Sequence, residues 1–204
     1  MNKVVEITME HPMAEVATKA IENGDYRIIA KGKEGKKQGI EPIVEKYGMY
    51  FYVAATSDVG MVYKGNTSYE DFLTAINNTI NNAIIGDLQD VMLSIFGGED
   101  KSEHLLDFHP IENGVYCVTN ADKYLGSGII LCDEAMRKIY EKVGTFFLLP
   151  SSIHEVLIVP ESNGLSWEEA SEMVAQVNAT EVAEDERLID EALYFNGAEL
   201  VRRA

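Results

Sequence analysis

Apolar side chains recur at helical spacing in five stretches of the chain. Three of these stretches start at a residue that can cap a helix: Ser68, Asp133 and Ser166. The two serines each have an acidic residue three positions later, which is typical of a capping box. Gly24 and Gly144 follow two of the stretches and are predicted to end them. The predicted helices are 12–23, 68–85, 87–96, 134–143 and 166–177.

Short apolar or alternating runs, bounded by turn residues, predict strands between and after these helices. One hairpin is predicted within 49–64 with its turn at Ser57-Asp58, and another within 192–201 over Asn196-Gly197. Residues 40–47 fit either a short helix or an extended segment. The remaining predicted strands are 26–31, 115–119, 126–131, 145–149 and 156–159.

Several of these strands are joined by short turns rather than by helices, which argues against a doubly wound fold. The prediction is an α+β fold, with a mixed, largely antiparallel sheet and helices packed on it. The polar stretch 98–113 is the best candidate boundary. It would divide the chain into an N-terminal α+β region, 1–112, and a C-terminal α+β region, 113–204. The alternative is one compact unit.

Charge changes this picture, because the chain carries a formal net charge of −17. Residues 49–112 hold ten acidic and two basic side chains, and residues 161–191 hold ten acidic and one basic. A field of this sign repels phosphate backbones, so direct nucleic-acid binding is not expected. It suits a protein partner of basic character, or it serves solubility alone. The oligomeric state stays open.

The first residues, 1–13, contain Glu6 and Glu10 and no long apolar run, so neither a signal peptide nor a membrane span is predicted. The expected location is the cytoplasm. The two cysteines, Cys117 and Cys132, lie in apolar runs and are expected to be buried free thiols. A reactive thiol at Cys132, beside a helix start, is the alternative.

Candidate catalytic chemistry is concentrated in the stretch LPSSIHE, which holds Ser152, His154 and Glu155. A hydrolase needs a serine, a histidine and an acid that converge in space. Residues this close in sequence rarely do so, and no G-x-S-x-G elbow is present. The preferred interpretation is structural, with serine hydroxyls capping backbone N–H groups and His154 or Glu155 tethering the next strand.

Other polar clusters suggest binding rather than catalysis. Lys33, Lys36 and Lys37 lie in a glycine-containing loop after a strand and form the only concentrated basic patch. A mobile solvated loop is the preferred interpretation, and anion or partner binding is the alternative. His104, Asp107 and His109 offer ligand types suited to zinc, but their spacing fits no single face of a helix or strand, so no metal site and no cofactor are predicted. The glycines of LGSG, residues 125–128, fit close packing or a backbone that faces a ligand.

The acidic stretch 161–191 is the predicted partner-binding surface. Its one tryptophan would be an interface anchor if exposed, although a half-buried core position is the preferred interpretation. The candidate partner-binding residues are Trp167, Glu168, Glu169, Glu172, Glu184, Asp185 and Glu186.

Four ordered motifs in residues 114–195 resemble a bacterial family of unknown function that is common in gut anaerobes and often found near mobile elements. The motifs are VTN, LGSGIIL, LPSSIHEVLIVP and VNATEV. The resemblance implies a fold and a genomic context, but it implies no activity, substrate or cofactor.

The sequence therefore favours a non-enzymatic acidic binding or regulatory protein, with a mobile-element or phage accessory role as its finer form. One alternative is a hydrolase-like enzyme centred on His154, Glu155 and Ser152. Another is an acidic nucleic-acid mimic that inhibits a basic enzyme, and a third is self-association through the apolar residues 68–96.

Overall fold

The computed structural model describes residues 12–57 and 60–202, and its elements confirm the α+β prediction. Every strand pairing within these residues is antiparallel. The helices are α1 (Pro12–Asn23), α2 (Tyr69–Asn81), α3 (Leu88–Ile95), α4 (Asp133–Val143) and α5 (Trp167–Thr180), with 3-10 segments at Gly126–Leu131, Glu161–Asn163 and Glu184–Glu186. The strands are β1 (Arg27–Lys31), β2 (Val44–Lys46), β3 (Met49–Ser57), β4 (Gly60–Tyr63), β5 (Ala83–Asp87), β6 (Glu103–His104), β7 (Tyr116–Asn120), β8 (Phe146–Leu149), β9 (Val156–Pro160), β10 (Leu193–Phe195) and β11 (Leu200–Val201).

A small sheet is built around the long strand β3, which pairs with β1, β2 and β4. The undecided stretch 40–47 is therefore extended where it forms β2. The predicted turn at Ser57-Asp58 extends beyond Ser57, the last described residue of β3, and the predictions for the first 11 residues lie outside the described residues.

The large sheet has the order β11-β10-β8-β9-β7-β5-β6. Its strands are apolar on both faces because both faces are covered. In β8, Phe146 and Leu148 point into the main core shared with the small sheet, α2 and α4. Phe147 and Leu149 point the other way, into a second cluster with Ala170 and Val174 of α5. We call the α5 side the outer face of the large sheet.

Two helices cover the outer face at different places. Helix α5 packs on β8, while α3 packs on β5 and β7. At Gly86 of β5 an added Cβ would meet Val91 of α3 at 3.0 Å, so the helix lies close to the strand here. Between the two helices, a cavity lies over β7 and β9.

Two predicted helix starts are confirmed, and one is wrong by a residue. The capping boxes of Ser68 with Asp71 and of Ser166 with Glu169 are both complete. Asp133 lies inside the first turn of α4, and Cys132 takes the cap position without a side-chain hydrogen bond.

The predicted strand 126–131 is wrong, because this segment is a 3-10 helix. It is wedged between the two sheets and contacts β1 and β7. A Cβ on Gly128 would lie 1.9 Å from the carbonyl oxygen of Ile28, so glycine is needed for the backbones to approach. A Cβ on Gly126 would also be too close to its surroundings, 2.5 Å from Thr119 Oγ1. Close packing, the first of the two interpretations of LGSG, is the observed one.

The predicted helix 68–85 is too long, since α2 ends at Asn81 and Ala83 starts strand β5. Strand β5 pairs with β7, so the large sheet runs through the proposed boundary at residue 112. Whether residues 1–112 and 113–204 can fold separately stays a prediction.

Candidate functional site

A cavity of about 440 Å³ lies on the outer face, between α3 and the C-terminal end of α5. We call it the outer cavity. Its volume falls in the range of small-molecule binding sites, roughly 300–1,000 Å³. Its apolar walls come from α3, from Cys117 and Leu157 of the sheet and from Val177 of α5. Its polar wall is the loop that joins β8 to β9, which contains LPSSIHE.

This loop is attached to residues 186–188 by backbone hydrogen bonds. The N–H of Ile153 donates to the carbonyl of Glu186 at 2.9 Å, and the N–H of Leu188 donates to the carbonyl of Ser151 at 3.2 Å. Ser152 Oγ accepts the N–H of His154 at 3.0 Å and its hydroxyl hydrogen-bonds to the Glu155 carboxylate. Ser152 therefore shapes the turn of its own loop.

The His154 ring is held on both nitrogens. Nδ1 accepts the N–H of Leu125 at 3.3 Å, and Nε2 lies 3.3 Å from Oε1 of Glu186. Because Nδ1 acts as an acceptor, the ring proton of the neutral form is assigned to Nε2. The ring also packs on Tyr124, with centroids 4.9 Å apart. His154 thus joins three segments, and its ring is bonded to Leu125 and Glu186 rather than to Ser152.

The motifs of the resemblance meet at the His154 backbone. Its carbonyl oxygen accepts the Thr119 hydroxyl from VTN at 2.8 Å and the Gly126 N–H from LGSG at 2.8 Å. The Ser127 hydroxyl donates to the neighbouring carbonyl of Ile153 at 2.7 Å. These hydrogen bonds join the end of β7, the 3-10 segment and the LPSSIHE loop at one edge of the outer cavity.

The fourth motif, VNATEV, holds the chain that follows α5. Asn178 is buried in α5, and its Nδ2 donates to the carbonyl of Ile189 at 3.0 Å and to Asp190 Oδ1 at 2.7 Å. This fixes the route of residues 181–190, which bring Glu181, Val182 and Glu186 to the outer cavity.

Glu155 is a partly buried acidic residue of the outer cavity. Burial raises its pKa, while His154 and the Ser152 hydroxyl act in the opposite direction. Among the described residues, no lysine or arginine forms an ion pair with it. Lys123, which also lines the cavity, is paired with Asp100 at 2.9 Å and contacts the Ser94 hydroxyl.

Neither cysteine is suited to nucleophilic chemistry. Cys117 lines the outer cavity, but burial raises its pKa to about 12. Burial also raises the pKa of Cys132, so its place at the start of α4 does not yield a reactive thiolate. Both are free and buried, as predicted.

The predicted partner-binding residues have different surroundings. Trp167 is partly buried, with its ring 6.0 Å from Phe147 and 5.9 Å from Tyr194. The Glu169 carboxylate is engaged by Ser166 in the cap of α5. Glu168, Glu172, Glu184 and Asp185 are exposed, whereas Glu186 lies at the outer cavity beside His154.

The lysine-rich loop lies against the acidic segment 184–186. A Cβ on Gly35 would meet the Asp185 carbonyl oxygen at 2.8 Å, and a Cβ on Gly32 would meet the Arg187 carbonyl oxygen at 2.1 Å. Lys33 is exposed, Lys36 lies 4.2 Å from the Tyr50 ring centroid, and the Lys37 N–H donates to Tyr52 Oη at 3.3 Å. The candidate anion site therefore borders carboxylates of the same chain.

The histidine-rich stretch is occupied by local contacts. His109 Nδ1 lies 2.6 Å from Glu103 Oε2, and His104 Nε2 lies 3.0 Å from the carbonyl oxygen of Asn81. Asp107 is exposed. Within residues 12–57 and 60–202, no group of three histidine, cysteine or acidic side chains is placed to hold a metal ion.

Sequence reasoning missed the contribution of α3 and Lys123 to the cavity. One signal was present, since the run DLQDVMLSIF has more apolar residues than a single buried stripe needs. Met92, Leu93 and Phe96 are exposed in consequence.

The profile of a family described as Family of unknown function (DUF5688) matches residues 64–197. The chain belongs to this family. The matched region takes in all four motifs of the resemblance and also extends upstream through α2, β5 and α3. The residues that match the family thus include both walls of the outer cavity, and the family description names no activity.

No curated protein and no solved structure matches the chain. None of the helices in the part of the chain that the structure describes is long and apolar enough to cross a membrane.

Proposed function

We propose that the protein is a non-enzymatic binding protein that recognises a basic protein partner through its outer face. The main observation in support is that exposed apolar side chains of α3 and α5 border a cavity whose rim is acidic. Met92 is 47% exposed and Val177 is 38% exposed, and both line the cavity. Phe96, one turn beyond Met92, is 82% exposed. Methionine and aromatic side chains are enriched in protein interfaces, and exposed apolar patches often mark them.

The charges beside these apolar residues specify the kind of partner. Glu181 and Glu186 line the cavity, and Glu184 and Asp185 are exposed in the same segment. A basic surface would be attracted to this rim, while its apolar residues would contact α3 and α5. A regulatory role as a mobile-element accessory factor is the finer form of this proposal, and it rests on the family resemblance alone.

The two other candidate functions have less support. A hydrolase would use Ser152 as nucleophile and His154 as base, but the Ser152 hydroxyl serves the His154 backbone and Glu155, and both His154 ring nitrogens are engaged. A nucleic-acid mimic would present rows of carboxylates, whereas apolar side chains stand among the acids of the outer face.

The test uses two helical peptides with the same leucine face, one with lysine and arginine on its polar face and one with glutamate. Fluorescence anisotropy should show binding of the basic peptide only. Met92→Asp and Phe96→Asp should each weaken it about tenfold or more, as expected for central interface residues. Tyr69→Asp, at an exposed aromatic of α2, is the matched control and should bind as the wild type does. Equal binding of both peptides, or equal affinity in all variants, would refute the proposal.

A further inference from the structure

We infer that the outer cavity is a pocket for a single arginine side chain of the partner. The inference rests on the proposed function and adds the chemical group that is recognised. It is supported by the apolar walls of the cavity and by the presence of Glu155 in its lining.

The cavity suits a side chain that is apolar along its stem and charged at its end. Val91, Cys117 and Leu157 supply apolar surface from the helix and from the sheet beneath. Long basic side chains bury their methylene groups against such surfaces while the charged end finds a polar partner. Glu155 follows Ser152 and His154 on the polar wall and supplies that partner.

Among the described residues, no basic side chain forms an ion pair with the Glu155 carboxylate. Lys123 is neutralised by Asp100. Arg187, which follows Glu186 of the rim, directs its Nε–H to the carbonyl of Val182 at 2.9 Å. An ionised carboxylate that is partly buried among apolar groups is costly unless it is paired. A guanidinium that enters from outside would pair with Glu155 and offset this cost.

Arginine fits better than lysine for two reasons. The guanidinium is less strongly hydrated than an ammonium group, so it loses less when it enters an apolar cavity. Its several N–H donors can also pair with carboxylates, and both Glu155 and Glu186 line the cavity.

The direct test titrates the full protein with N-acetyl-arginine N-methylamide and follows backbone amide signals by NMR. The amides of Cys117, Thr119 and Glu155 should shift on titration. The citrulline analogue, which has the same shape without the charge, should bind at least tenfold more weakly. Equal shifts with citrulline, or stronger binding of the lysine analogue, would overturn the assignment of arginine.

Variants locate the site within the cavity. Glu155→Gln keeps the size of the side chain and its ability to accept from Ser152, and should weaken arginine binding at least tenfold. Glu172→Gln removes an exposed carboxylate of α5 outside the cavity and should leave binding unchanged. An unchanged affinity in Glu155→Gln, with thermal unfolding confirming that the variant is folded, would refute the pocket.

A second experiment separates this inference from the proposed function. Each arginine of the basic peptide is replaced in turn by citrulline. One replacement should lower the affinity of the peptide for the wild type about tenfold. The same replacement should lower the affinity for Glu155→Gln much less, because the replaced arginine and Glu155 act as a coupled pair. If every replacement has the same small effect, the pocket is refuted while the binding face stands. If the peptide fails to bind but the blocked arginine shifts the cavity amides, the pocket stands and the proposed function falls.

Discussion

At the scale of single residues, the neighbours His154 and Glu155 have opposite surroundings. The ring of His154 is bonded on both sides to its own chain, through Leu125 and Glu186. Glu155 faces the outer cavity with one neutral hydrogen-bond partner, Ser152, and no basic ion-pair partner among the described residues. His154 therefore stabilises the loop. Glu155 lowers the stability of the free protein, but its carboxylate remains free to pair with a ligand in the proposed pocket.

Replacing Glu155 by glutamine is expected to stabilise the free protein near neutral pH. Burial raises the Glu155 pKa, so between the ordinary glutamate pKa and the raised value the folded state binds more protons than the unfolded state. Stability of the wild type therefore falls as pH rises through this window, and glutamine removes that loss. Urea unfolding at about pH 7.5 should show a gain of about 0.5–2 kcal/mol, toward the lower end because the group is partly exposed.

The gain should vanish at about pH 4, where the wild-type carboxyl is protonated in most molecules of the folded state. Glu172→Gln is the control and should change stability by less than about 0.5 kcal/mol at either pH. A loss of stability in Glu155→Gln at neutral pH would show that the carboxylate already has a compensating partner.

At the scale of secondary-structure elements, the segment Gly126–Leu131 shows how packing overrides local pattern. Its glycines and apolar residues have the composition of a strand, but the segment is a 3-10 helix that lies between the two sheets and contacts β1 and β7. It adopts a 3-10 helix that satisfies its backbone locally, and its glycines allow β1 and β7 to come close. The segment also places Leu125, whose N–H holds His154.

Gly128→Ala is expected to destabilise the protein by about 3 kcal/mol or more, because the added Cβ would lie 1.9 Å from the carbonyl oxygen of Ile28, which is rigid backbone. Gly164→Ala is the comparison. Gly164 has φ of +79° and no heavy atom within 4 Å of an added Cβ, so only the backbone strain of roughly 1–2 kcal/mol applies. Chemical denaturation measures both, and equal losses would contradict the role given to Gly128.

At the scale of the whole molecule, the net charge of −17 affects how fast a basic partner arrives more than how tightly it is held. In the proposed function, the acidic rim of the outer cavity attracts the basic partner, and the apolar residues beside it set the dissociation rate. Charges on distant parts of the molecule are screened at physiological salt, where the Debye length is about 8 Å.

Association of the basic peptide should therefore slow when salt is raised from about 50 mM to about 500 mM, with a smaller change in the dissociation rate. Stopped-flow fluorescence gives both rates. Glu181→Gln at the rim should slow association, whereas Glu22→Gln, an exposed position on α1, changes the net charge equally and should have little effect. Equal effects of the two variants would mean that overall charge, and not the rim, attracts the peptide.

The sequence by itself determined the features that depend on near neighbours along the chain. The apolar periodicity and the serine caps predicted α1, and the starts of α2 and α5, correctly. The turn at Asn196-Gly197 predicted the pairing of β10 with β11. The LPSSIHE stretch also marked Ser152, His154 and Glu155 as residues of interest, because polar groups between apolar strands need partners.

Only the tertiary structure decided which segments meet. Residues 83–85 continue the apolar stripe of α2, but they become β5 because β7 offers an edge to pair with. The outer cavity joins α3, β7, the LPSSIHE loop and residues 181–186, which are far apart in sequence. Helical and strand periods arise from contacts within a few residues, whereas a cavity depends on long-range packing that no local pattern encodes.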